Sequence, residues 1–277
     1  MKLFNSANVL AALIIFGAIG YTASQMLSPG AKQTSLTAVN PPASVPRSEA
    51  LPDFTAYTEV KAKKNAFFGY MLPLIEARNL YIQGQRQQLL ALSERAEDIL
   101  SAQDTKELAD LAGIYRLAET DLSSADLVKE LLMRVDTVPP SLALAQAAVE
   151  SGWGTSRFAV QANNLFGQWC YKKGCGLVPN QRNSGANHEV AKFDNVSAAV
   201  DSYTRNINTH RAYKDLRTSR AELRANNKTV TGHILAEGLL RYSERGEHYV
   251  HELQAVIRIN KLAPYDETKA VGIIQDI

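Results

Sequence analysis

The chain has 277 residues, 45% of them hydrophobic, which suits one large globular domain or two small ones. Thirty basic residues against 28 acidic leave a net charge of only +2, and no Lys/Arg run is dense enough to track phosphates, so a nucleic-acid partner is not expected. The five histidines (188, 210, 233, 248 and 251) lack paired zinc-binding spacing, so neither a metal nor an organic cofactor is implied.

Residues 1–23 read as an export segment. Lys2 supplies a positive start, and residues 9–19 form an apolar run that is short for a membrane span. Ala18-Ile19-Gly20 offers a small-x-small cleavage site, while Tyr21, Thr22 and Ala23 can extend the run. A cleaved signal peptide and an anchor in the inner membrane therefore both stay open. Residues 24–53 hold Pro29, Pro41, Pro42, Pro46 and Pro52 among small polar residues and read as a linker.

Residues 54–122 turn helical, with Phe67, Phe68, Met71, Leu72 and Ile75, then Leu89, Leu90, Leu92 and Ile99, at roughly helical spacing. Gly84 marks a weak point, and Asp104 is the expected cap of a further helix. This extension either packs on the rest of the chain or stands alone as an interaction module. The region 123–264 opens with Ser124-x-Asp126 before a helix bearing Leu127, Leu131, Leu132 and Val135. Pro139 and Pro140 then start a helix whose residues Leu142 to Val149 are apolar nearly all round, the mark of a buried helix.

That helix ends at Glu150, before Gly152-Trp153-Gly154. A carboxylate closing a buried helix is costly unless it is used. The negative end of the helix dipole, together with Trp153 and Phe158, favours its protonated form, as a general acid requires. The plain alternative is an idle glutamate at a frayed helix end.

Farther on, residues 177–182 and 188–193 read as the strands of a small hairpin around a loop at 183–187. Cys170 and Cys175 enclose a tight turn and, in an exported chain, suit a disulfide. Ser197 is the expected cap of a helix bearing Val200, Tyr203 and Ile207. Residues 234–240 and a helix from about Glu247 to Asn260 follow, leaving 265–277 as a tail. The fold class is therefore mainly α (α+β): helices around one small hairpin.

Ala145-Gln-Ala-Ala-Val-Glu-Ser-Gly-Trp-Gly154 with Asn163-Asn-Leu-Phe-Gly167 resembles the signature of the glucosaminidase domain, glycoside hydrolase family 73, across roughly residues 125–262. Within that family the likeness is to the Bax-type proteins of Gram-negative bacteria. The resemblance implies a lysozyme-like domain with a small β lobe, a periplasmic location and peptidoglycan glycan strands as the partner. It also implies an endo-β-N-acetylglucosaminidase with Glu150 as general acid. A lytic transglycosylase, a wall amidase and a non-catalytic wall-binding scaffold are the alternatives.

Glycoside hydrolysis needs a second group, or a substrate acetamide that replaces it. Glu189, in the expected hairpin, is the first candidate; the family's hairpin acid falls where this chain has Asn180-Gln-Arg182. Tyr242 matches a family tyrosine expected to orient the acetamide, whereas Tyr249 is expected to pack. Phe166 and Trp169 are expected to offer flat faces to sugar rings. Asn163 and Asn164 are expected to hold the acid's loop or bind an acetamide.

Overall fold

Helix α1 (Val60–Ser93) runs through both Pro73 and Gly84 without a break. The computed structural model describes residues 50–94, 100–118, 120–180 and 185–267; the expected export segment, nearly all of the linker and the end of the tail lie outside the described residues. Among the described residues, no helix is long and apolar enough to cross a membrane. An interior glycine costs only about 1 kcal/mol, and burial of Ile82, Gln85 and Leu89 on either side of Gly84 outweighs that.

The two halves of α1 serve different cores. Phe67, Phe68, Met71, Leu74 and Ile75 share the main core with Leu142, Leu144, Val200 and Leu253. Ile82, Leu89 and Leu92 join a second core with residues of α2 (Ala102–Ile114) and α3 (Ser124–Arg134). The extension is thus built into the same interior as the rest, and the self-standing module is set aside. The cap expected at Asp104 moves: Ser101 caps α2 in a reciprocal box with Asp104, and Ser123 caps α3.

Helix α4 (Pro140–Ser151) starts at the paired prolines as expected and is buried on nearly every side. Its first turn is held by Asp266, which accepts from Ser141 N at 2.9 Å, from Ser141 Oγ at 2.6 Å and from Gly232 N at 2.8 Å. After the short α5 (Arg157–Ala162) comes the β lobe: β1 (Trp169–Cys170), β2 (Gly176–Leu177) and β3 (Glu189–Ala191). The strand order is β1-β3-β2, with β3 antiparallel to both neighbours. The expected two-stranded hairpin is therefore a three-stranded sheet of very short strands.

Helix α6 (Val196–Thr209) is capped by Asn195 rather than by Ser197. Then follow α7 (Lys214–Ala225), α8 (Gly232–Leu235) with a 3₁₀ turn at Ala236–Leu239, and α9 (Glu247–Ile259). A buried charge cluster pins α7 to the residues before α4. Asp136, 2% exposed, receives Arg224 at 2.6 and 2.7 Å and faces Arg86 and Arg220 at 3.5 Å each. Burial alone would raise its carboxyl pKa; Arg220, Arg224 and Arg86 outweigh that and hold it below the ordinary value. The whole is mainly α with a small β lobe, in keeping with a lysozyme-like fold.

Candidate active site

The turn after α4 is strained and tightly held. Gly152, Trp153 and Gly154 all take positive φ, at 56°, 59° and 77°. A tryptophan there persists only where its surroundings over-determine it. The Trp153 ring meets Phe68 and Phe67 edge-on at 5.3 and 5.8 Å, and Lys64 Nζ lies 4.7 Å from its centroid. A β-carbon on Gly154 would fall 2.4 Å from the Phe54 ring. Trp153 thus wedges the turn against α1, and this clamp fixes where α4 ends and where Glu150 points.

Glu150 closes a buried polar chain. Tyr203 Oη donates to Gln146 Oε1 at 2.6 Å, and Gln146 Nε2 donates to Tyr249 Oη at 3.1 Å. The Tyr249 hydroxyl, which accepts from Gln146, also acts on the Glu150 carboxyl and favours its ionised form. Tyr203, Gln146 and Tyr249 are each at most 1% exposed. Burial raises the Glu150 pKa; the Tyr249 bond and the charge of Arg245 pull it down without cancelling the rise, and Glu252 pushes it up. Arg245 and Glu252 are themselves paired.

Two further contacts complete the seat. The Tyr242 ring stacks on Tyr249 with centroids 5.5 Å apart and planes 1° from parallel. Its hydroxyl donates to the Phe166 carbonyl at 2.7 Å, so Tyr242 tethers the loop that carries Gly167. Gly167 has φ of 64°, and its backbone lies against the Glu150 carboxylate.

The other expected residues divide. Trp169 is 55% exposed and stacked on His188 at 3.9 Å, a flat apolar face open to solvent. Cys170 and Cys175 are joined as a disulfide. Phe166 offers no face to a sugar, being 1% exposed and stacked on Tyr203 at 4.0 Å. Asn164 is also buried. Its amide donates to Gln168 O and Ala191 O, and its oxygen accepts from Phe166 N and Gln168 N, which fills its capacity inside the loop. Asn163 ends α5 in the left-handed region and donates to Phe193 O at 3.0 Å.

Glu189 is buried, and its two oxygens accept from Gly174 N at 3.0 Å and Gly176 N at 2.9 Å. It clamps the disulfide loop to β3. With Cys170 and Cys175 it forms the one grouping of metal-like spacing among the described residues, yet bonded sulfurs leave a carboxylate as its only ligand. Gln146 and Tyr249 were the parts least visible in the sequence. The signal for Gln146 was its place one helical turn before Glu150, on the same face of α4.

Residues 125–262 match the Glucosaminidase family, described as mannosyl-glycoprotein endo-β-N-acetylglucosaminidase. The chain is 34% identical to Protein bax of Escherichia coli (strain K12) over 215 residues, which make up 78% of this chain and 76% of that protein. No solved structure matches the chain. Since the family match takes in Gln146, Glu150, Gly167, Tyr203, Tyr242 and Tyr249, and the similarity to Protein bax runs over a longer stretch still, the chain belongs to the glucosaminidase family as a Bax-type protein, a family of glycosidases.

Proposed function

We propose that the protein is an endo-β-N-acetylglucosaminidase that cuts peptidoglycan glycan strands after N-acetylglucosamine. The observation that carries this reading is the Glu150 carboxyl, held at the end of a buried helix with its pKa raised by burial. A carboxyl of that kind keeps its proton to higher pH than an ordinary glutamate and can protonate a leaving glycosidic oxygen. Trp169 supplies a face on which a sugar ring can stack.

The second step follows from how Glu189 is used. With both oxygens on the amides of Gly174 and Gly176, it is not the nucleophile. The substrate's own acetamide oxygen attacks the anomeric carbon as Glu150 gives up its proton. Glu150 then takes a proton from the water that opens the cyclic intermediate, and the configuration is retained. Tyr242 acts through the Phe166 carbonyl, positioning the Gly167 loop. Export to the periplasm belongs to the same proposal, supported by the Cys170–Cys175 disulfide, a bond of oxidising compartments.

The test is digestion of purified peptidoglycan by the full chain and by Glu150→Gln, followed by borohydride reduction and mass spectrometry. New reducing N-acetylglucosamine ends, diminished at least about 100-fold in the variant, are expected. Anhydro-muramic ends would move the protein to the lytic transglycosylases, and freed peptides to the amidases. Binding without fragments from either protein would leave a scaffold.

A further inference from the structure

A second concave site lies apart from Glu150. The C-terminal half of α1, α3 and the end of α7 enclose a groove of about 790 Å³. Leu90, Leu100, Leu132 and Met133 give it an apolar lining, and Leu90 is 44% exposed. No residue that seats Glu150 lines it. Four cations stand on it: Arg86, Lys129, Arg224 and Lys228. Among the described residues that line it, none is acidic.

The positive charge is only partly cancelled from behind. Arg86 and Arg224 belong to the Asp136 cluster, where they and the buried Arg220 share one carboxylate, so the cluster keeps an excess of positive charge. Lys129 and Lys228 are exposed and add to it. Next to the groove, and sharing Arg86, Leu90 and Arg224 with it, is a cavity of about 530 Å³ that includes Glu76 and Glu267. Those acids disfavour an anion there and leave Lys129 and Lys228, which line the groove and not that cavity, as the cations for one.

A small inorganic anion would not use the apolar lining, and a cationic amphiphile would meet four like charges. A ligand with one alkyl chain and an anionic head satisfies both features, and the volume lies within the range of small-molecule sites. We propose that this groove binds a single-chain anionic amphiphile, of the fatty-acid or alkyl-phosphate class. The chain lies along Leu90 and Leu132, and the head sits between Lys129 and Lys228.

Calorimetric titration of the full chain with dodecyl phosphate below its micellar concentration tests this, with dodecyltrimethylammonium in parallel. One molecule should bind, with affinity rising with alkyl length and weakened about tenfold or more in Lys129→Glu/Lys228→Glu. The milder Lys129→Gln/Lys228→Gln should lie between, and circular dichroism should show both variants folded. Equal affinity for the cationic amphiphile, or affinity unchanged by charge reversal, would overturn the proposal. So would capture by phosphatidylglycerol vesicles without binding of the monomer, which would make the groove a membrane-docking surface.

Discussion

A β-carbon placed on Gly167 would lie 3.0 Å from Oε2 of Glu150, so the loop backbone itself forms one wall of the acid's seat. Gly167→Ala therefore meets two penalties, a left-handed φ of 64° and a methyl group against the carboxylate. Stability should fall by about 1 kcal/mol, and kcat on wall glycan by roughly 100-fold, because displacing a catalytic group by a fraction of an ångström is expensive. Thermal unfolding and steady-state digestion read the two effects separately.

Tyr249→Phe removes the hydroxyl that favours ionised Glu150 and leaves burial less opposed. The acid's pKa should then rise further. Since kcat/KM is lost as pH climbs through the pKa of the free enzyme's acid, the alkaline limb should move to higher pH while kcat falls. A limb that stays in place or moves down would show that Tyr249 does not govern the acid.

Glu150→Gln should make the protein more stable as it disables it. The folded pKa of Glu150 lies above the unfolded value, so the wild type loses stability as pH rises between the two. A neutral glutamine escapes that loss. The variant should gain roughly 0.5–2 kcal/mol at neutral pH, with the gap closing below the unfolded pKa near 4.3. Denaturant titrations at several pH values check both the sign and the closure.

Asp136→Asn should be the most damaging of these changes to the fold, because it strands three arginines around a neutral amide. A cost of about 3–5 kcal/mol is expected for breaking a buried charge cluster. Here the folded pKa is depressed, so the stabilisation is present above the unfolded value near 3.9 and is lost as pH falls through the folded one. The difference between wild type and variant should narrow in acid.

Much of this was legible in the residues. Paired prolines before a run of small apolar side chains announce α4, and the carboxylate at its far end is the candidate acid. The sheet was harder to read, because strands of two or three residues carry no period to detect. Asn164 and Glu189 are polar and sit in a glycine-rich region, where a sequence reads equally well as a ligand-binding loop. Only the fold shows that their hydrogen bonds are spent on the chain itself. Phe166 misleads for the converse reason: loop aromatics are usually taken as exposed, yet Tyr203 covers this one. Tyr249 was hard to read because its hydrogen-bond partner, Gln146, lies 103 residues earlier.

The stretch that defines the family and the stretch that can hold itself together are different lengths of chain. The family match begins at residue 125, but the turn beyond Glu150 is braced by Phe54, Phe67 and Phe68, more than fifty residues upstream of it. A protein cut at the start of the matched region would bare one side of α4 and release the tryptophan that sets the acid's direction. Grafting this chemistry onto another wall protein would therefore mean carrying α1 along with it, since inheritance has marked out a smaller piece than cohesion requires.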